Sequence, residues 1–400
     1  MDFDDSEEEA AFRHQVRTWL KAHATEKDPG QLSASHSFFD FDEVFVTEGR
    51  AWQRRLFDGG WAGITWPVEF GGRGGDFVQA MIFRQEESRF DVTVGLFAVA
   101  IGMAGPTLIG FGTERQRARY LPPMLRGDEI WCQLFSEPGA GSDLASLSTR
   151  AERDGDEWVV NGQKVWSSGA HHADLGILLA RTDPDAPKHR GITFFILDMR
   201  TPGIEVRPLR QMTGGATFNE VFFTDVRVPT ANVVGGENGG WRATMTTLAN
   251  ERNLSGGTSS FPQILELARR CGATSDPGIR QRLARCYTQA EIARYLGLRV
   301  QTALSKGLST PETSIIKLFN SQRAREMAEL TVAVQGPGGT LVGRDAEDGG
   351  FWQQQFLGSP SLRIAAGSDE VQRNVIGERV LGLPHDVRVD HDVPFRDLIR

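Results

Sequence analysis

The stretch QLFSEPGAGSDLASLSTRAERDGDEWVVNGQKVWSSGAHHADLGILLA (133–180) decides how the rest of the chain is read. Gly139-Ala140-Gly141-Ser142 reads by itself as a tight turn with a capping serine. Asp154-Gly155-Asp156 is a hairpin signal, because glycine takes the left-handed backbone that a two-residue β-loop demands. The runs around that turn, EWVVNGQKVW (157–166) and DLGILLARTD (174–183), are short and β-rich. Downstream, GITFFILDM (191–199) and NEVFFTDVRVP (219–229) repeat the texture between Gly, Asp and Pro. The segment from about 126 to 237 therefore predicts a central antiparallel β-barrel or sandwich.

Outward from this centre the period changes. Over roughly 1–125, Phe12, Val16, Trp19 and Leu20 recur at helical steps, and further helices are expected near 78–89, 92–112 and 113–125. WAGITWPVEFGGRGGDF (61–77) interrupts them as an ordered, aromatic and glycine-rich loop. From about 238 to 400 helices return: Leu283, Tyr287, Ile292, Tyr295 and Leu296 are expected along one side of a long helix. Thr310 before Pro311 reads as the cap of a second helix, striped by Ile315, Phe319, Met327, Leu330 and Val334. The predicted fold class is α+β, an N-terminal helical domain, a central β domain and a C-terminal helix bundle, the last a common oligomer surface.

Bulk properties exclude several functions. Four hundred residues, 40% hydrophobic and 24% charged, suit a globular protein of two or three subdomains. A net charge of −8 argues against nucleic acid or an anionic membrane as the main partner. Cys132, Cys271 and Cys286 are widely spaced and the histidines show no HExxH spacing, so neither zinc site nor disulfide framework is expected. No apolar run approaches the roughly 20 residues of a membrane span. The acidic start MDFDDSEEEAAF lacks the basic character of an export signal, and the cytoplasm is the expected compartment.

SEPGAGSDLA followed by NGQKVWSS, with GGATFNEVFFTDVRVPTANVVGGENGGW (214–241) and GSDEVQRNVIGERVLGLP near the C-terminus, resembles the acyl-CoA dehydrogenase family across nearly the whole chain. That resemblance implies an FAD-dependent enzyme acting on an acyl-CoA thioester and passing electrons to an electron-transfer flavoprotein. It implies flavin contacts from Gln133, Phe135 and Ser136, packing of Trp166 on the ring, and a bond from Ser168 to its N5 side. Ser142 matches the serine that contacts the coenzyme A arm. Gly336 and Gly338 match the turn that passes the cofactor of a neighbouring subunit, and Ser368 and Glu370 further cofactor contacts. The family's Arg-x-x-Phe-Gly segment, a pyrophosphate contact, is missing; Arg270 or Arg280 is left to supply the charge.

The catalytic glutamate usual before the C-terminal Gly-Ser step is Ala366 here, in RIAAGSDEVQRNVIGERVLGLP (363–384). Ala366 cannot take a proton, although its backbone N–H still offers a donor to the thioester oxygen. In the isovaleryl and long-chain branches the base sits in an earlier Glu-Arg step, and Glu251-Arg252 falls at the corresponding place in TLANERNLSGG (247–257). Glu251 is thus the expected base, with Arg252 turned toward the coenzyme phosphates. A base facing an acyl chain is desolvated, which raises its pKa. Glu137, Asp143 and Glu378 are expected in turns and salt bridges. Gly256 and Gly257 suggest room for a branched or bulky acyl group. Two assemblies are expected: a homo-oligomer, dimer or tetramer, or a heterotetramer in which this chain has a structural, half-site role and little activity alone.

Overall fold

The computed structural model describes residues 5–27, 41–253, 261–305, 312–387, 390 and 392–398. The capping pair Thr310-Pro311, the side chain of Arg252, and Gly256 and Gly257 lie outside them. In chain order the first elements are α1 (Glu7–His23), β1 (Thr25–Glu26), α2 (Glu43–Asp58), α3 (Phe77–Glu87) and β2 (Phe90–Asp91). Next come α4 (Gly105–Phe111), α5 (Glu114–Arg126), β3 (Trp131–Leu134), β4 (Arg150–Asp154), β5 (Glu157–Lys164) and β6 (Leu175–Arg181). Then follow β7 (Ile192–Asp198), β8 (Ile204–Leu209), β9 (Phe218–Pro229) and β10 (Val233–Val234). The last are α6 (Gly240–Asn253), α7 (Phe261–Arg270), α8 (Pro277–Ser305), α9 (Glu312–Val334), α10 (Phe351–Gly358) and α11 (Asp369–Val375). The order is helix, β, helix, as predicted.

Two compact units divide the chain: Met1–Ser35 with Asp76–Val92 and Ser255–Pro384, and His36–Gly75 with Thr93–Leu254 and His385–Arg400. In the second unit the sheet runs β10-β7-β6-β4-β5-β9-β8, with β3 beside β6. The turn at Gly155 closes β4 onto β5 with Asp154 opposite Glu157. Most pairings are antiparallel, but β3 pairs parallel with β6, a correction to the purely antiparallel expectation. Parallel partners need a long crossover, and residues 135–174 provide one that contains the β4–β5 hairpin itself. LGILLAR in β6 is buried throughout because its two faces meet different cores. Ile177 and Leu179 join Phe194, Ile196, Leu121 and Trp66 in one; Leu178 and Ala180 join Phe195, Leu197, Trp158 and Val221 in the other. β5, by contrast, alternates buried and half-buried positions except at Gly162, which is exposed beside a register shift.

The helix expected over 92–112 is shorter and irregular. Gly95 takes φ +101°, and a π-turn at Ala100–Ala104 leads into α4. Pro106 has no N–H to donate, and the Ile101 carbonyl five residues back accepts the Trp66 indole N–H at 3.2 Å instead. The 61–77 loop that delivers Trp66 is ordered, with Gly74 N–H donating to Trp66 O at 2.8 Å and Gly75 N–H to Ile64 O at 2.8 Å.

In the first unit, α7, α8 and α9 share a core of Ile264, Leu267, Leu283, Cys286, Met327, Leu330 and Val334 with Trp352. The stripe expected on α8 needs correction. Leu283 is buried, with Cys286, Ala290 and Val300, but Tyr287, Ile292 and Tyr295 are exposed. The three- and four-residue steps join residues of two neighbouring faces, and only one of those faces meets α9.

Candidate active site

Two strand ends meet in the sheet unit. The Val165 N–H donates to Ser136 O at 2.9 Å, joining the end of β3 to the end of β5. Beneath that junction lies a buried ion pair. Lys164 Nζ donates to Glu137 Oε1 at 2.8 Å and to Phe135 O at 2.9 Å, and its side chain is fully buried. Glu137 also accepts from the Ser148 and Thr149 N–H groups at 2.6 and 2.8 Å. Burial pushes the Glu137 carboxyl up, but the Lys164 charge and these bonds outweigh it and hold the group below the ordinary carboxylate range. Glu137 thus has the structural place its motif suggested. Lys164, which the sequence reading passed over, is its partner; it lies in phase with the buried Trp158 and Val160, so the alternation of β5 was the signal that could have found it.

The junction leaves polar groups unspent. Gln133, Ser136 and Ser168 are half-buried, and their side chains make no hydrogen bond among the described residues. Phe135 is buried edge-on to Phe194, so a ligand can meet its backbone but not its ring. Trp166 is 60% exposed and lies edge-on to Phe218. Its φ of +62° is a left-handed conformation that a bulky residue rarely adopts, at a cost of about 1–3 kcal/mol. Asn219, fully buried and also missed from sequence, over-determines this turn: its amide donates to Ser167 O at 2.9 Å and Thr217 O at 3.1 Å, and its own carbonyl accepts the Ser167 N–H at 3.1 Å. Its Oδ1 faces His171 Nδ1 at 3.1 Å. An exposed aromatic plane beside unspent donors, held against strain by buried groups, is an arrangement for a flat, partly polar ring.

Ser142 lies in the same unit on an exposed turn, and its hydroxyl is likewise unbonded among the described residues. Asp143, next in the chain, sits in a salt bridge with Lys188 at 2.9 Å, as its motif suggested. Glu251 belongs to this unit too, half-buried in the last turn of α6. α6 is docked by Ala243, Thr244 and Thr247, all fully buried, and by the Thr247 Oγ1–Thr107 Oγ1 bond of 2.8 Å to α4. At its start, a Cβ on Gly240 would lie 2.6 Å from the Phe194 backbone nitrogen, so only glycine lets the helix approach β7 this closely.

The remaining predicted residues fall in the helical unit. Gly336, at φ +56°, stops α9, and Gly338 N–H closes the turn on Gln335 O at 3.1 Å. Ala366 is in the left-handed region at φ +54°, just before Gly367 at φ +88°. Its carbonyl accepts from Gln372 Nε2 at 3.3 Å. Ser368 caps α11 through the Val371 N–H, and Glu370 is exposed in its first turn. The loop is tied to α9 by Asp369, 1% exposed, which accepts from Ser321 Oγ and Arg363 Nε, both at 2.6 Å. Of the two phosphate candidates, Arg270 is committed to Asp348 at 2.6 Å, whereas Arg280 is exposed and its side chain unpaired among the described residues.

Comparison with known proteins identifies the family. The acyl-CoA dehydrogenase N-terminal, middle and C-terminal domain models match residues 6–128, 132–226 and 238–381. The acyl-CoA dehydrogenase IpdE1 of Mycobacterium tuberculosis is 40% identical over 390 residues, 94% of this chain and 98% of that protein. Among solved structures, the Tcur3481-Tcur3483 steroid ACAD superposes with a TM-score of 0.82 at 30% identity, over 96% of this chain and 100% of that one. The ChsE4-ChsE5 complex of M. tuberculosis does so with a TM-score of 0.79 at 30% identity, over 96% and 100%. With three domain models in order and relatives along nearly its full length, the chain belongs to the acyl-CoA dehydrogenase family of oxidoreductases.

Proposed function

We propose that this chain carries out FAD-dependent 2,3-dehydrogenation of an acyl-CoA thioester, with Glu251 as the base and an electron-transfer flavoprotein as electron acceptor. The observation that carries the reading is the Ser136–Val165 junction, where the exposed Trp166 stands beside the unspent Gln133, Ser136 and Ser168 side chains. Those residues would hold the flavin ring, and Gly336, Gly338, Ser368 and Glu370 keep the cofactor contacts that the resemblance implies. When bound, FAD supplies a two-electron acceptor for the β-hydrogen. Glu251 takes the α-proton, a step in which a positioned base contributes about 10²–10⁴-fold. Ala366 contributes a backbone N–H to the thioester oxygen, a donor that needs no side chain. Glu251→Gln is expected to remove turnover while the visible flavin band remains; undiminished turnover in that variant removes Glu251 from the role.

A second reading makes the chain one subunit of a heteromeric dehydrogenase. It is favoured by the exposed Tyr287, Ile292 and Tyr295 on α8 and by two solved relatives that carry paired names. Native mass and flavin content of the chain produced alone separate the two: a flavin-loaded homo-oligomer supports the first, an empty or unstable chain the second. For the acyl group we favour a bulky or polycyclic thioester, on the strength of the relative named as a steroid enzyme. A panel in which a short straight chain turns over fastest overturns that preference.

A further inference from the structure

The turn that carries Ser142 is gripped from one side by two cations, and the far C-terminal segment closes over both. Lys188, only 11% exposed at its side chain, bridges two carboxylates: Asp143 at 2.9 Å and Asp390 at 2.6 Å. Asp143 also accepts from Ser146 Oγ at 2.5 Å, so the bridge reaches both ends of the short helical turn after Ser142. Arg181, 3% exposed, donates to Ala145 O at 2.6 Å and Leu147 O at 3.3 Å in that turn, and to Lys188 O at 2.6 Å. Its guanidinium lies 3.7 Å over the ring of Phe395, itself 4% exposed. The chain around Phe395 is fixed by backbone bonds from Phe395 N–H to Ala186 O and Arg396 N–H to Pro184 O, both 3.0 Å, and by an Arg396–Asp185 ion pair.

We propose that Asp390 together with residues 392–398 is a clasp that positions the Ser142 turn for the coenzyme A arm of the substrate, with Lys188 and Arg181 as the positioning residues. The proposal rests on the coenzyme contact that the resemblance implies for Ser142. The physical case is that Ser142 is exposed and its hydroxyl has no partner of its own among the described residues, so the turn's shape comes from what holds its neighbours. On one side the Glu137 and Ala140 backbones bond to each other, at 3.0 Å in both directions. On the other side stand Arg181 and Lys188. Asp390 keeps the Lys188 ammonium from swinging outward, and Phe395 seals Arg181 from water, which strengthens its bonds to the turn. Coenzyme A gains affinity when the turn is already in its bound shape, because the ordering cost has been met in folding.

The test uses the full chain, with its partner subunit if it has one, and the variants Asp390→Asn and Phe395→Ala beside Ser142→Ala. Two quantities are measured: kcat and KM with a CoA thioester, and the Kd of free coenzyme A by calorimetry. Both tail variants are expected to raise KM and the coenzyme A Kd by about 5–30-fold, with kcat and flavin content unchanged. A tail that serves only to hold the fold together lowers kcat and flavin content as well, and that outcome overturns the proposal. So does an unchanged Kd in Asp390→Asn, which is close enough in shape to fold even where Phe395→Ala does not. If Ser142→Ala leaves KM and Kd unmoved, the coenzyme contact of Ser142 falls and the clasp with it. If Ser142→Ala raises both while the tail variants raise neither, the clasp alone is overturned.

Discussion

At the scale of single residues, the groups that shape the site are mostly not those that would touch a ligand. Lys164 and Glu137 form a buried pair directly under the Ser136–Val165 junction. Removing one charge of such a pair strands the other, which costs about 3–5 kcal/mol. Lys164→Met is therefore expected to lower stability by that amount in denaturant unfolding, and to loosen flavin binding, because Phe135 O and Glu137 lose their shared donor. The pair also sets a pH dependence. The folded Glu137 pKa lies below its ordinary value of 4.5, so its contribution is complete above that value and is lost as pH falls through the lowered native one. Unfolding followed from pH 7 downward should show stability falling in that acid window in the native chain. In Glu137→Gln this part of the fall should be missing. Motif knowledge made Glu137 legible as structural; the inward places of Lys164 and Asn219 follow from alternation with Trp158 and Val160 and with Val221 and Phe223, whereas their hydrogen-bond partners, which come from other segments, were not legible.

At the scale of elements, hairpins and capped helices were readable and irregular ones were not. The Asp154-Gly155-Asp156 turn and the strands around it appear where local chemistry put them. The π-turn before α4 did not announce itself, because its cause lies elsewhere in the chain: the Trp66 indole occupies the carbonyl that Pro106 cannot use. Trp66 also fills the space beside Gly105, where a Cβ would lie 2.0 Å from its ring. Gly105→Ala, helix-favouring by propensity alone, is expected to destabilise by about 1–3 kcal/mol through overpacking. A lower thermal midpoint checks it; a raised one would mean that propensity outweighs the clash. On α8 the apolar period was real but assigned to one face, and the structure divides it between a buried stripe and an exposed one.

At the scale of the whole molecule, that exposed stripe is where an oligomer contact is predicted. Tyr287, Ile292 and Tyr295 project from one long helix, where an isolated soluble surface would carry polar groups. Ile292→Asp is expected to shift the mass measured by light scattering toward smaller species, while the thermal midpoint changes little because the residue is already exposed. Unchanged mass would place the interface elsewhere. The order helix, β, helix, the family, and the positions of Trp166, Ser142 and Ala366 in their motifs were all determined by the sequence alone, because they rest on local period, turn chemistry and motif order. Tertiary structure decided the rest: which carboxylates are spent on lysines, which hydroxyls remain unspent, and that the C-terminal segment lies against the Ser142 turn. Those outcomes depend on contacts such as Lys188 with Asp390, more than two hundred residues apart. Local pattern carries no information about which distant charges will share one buried place.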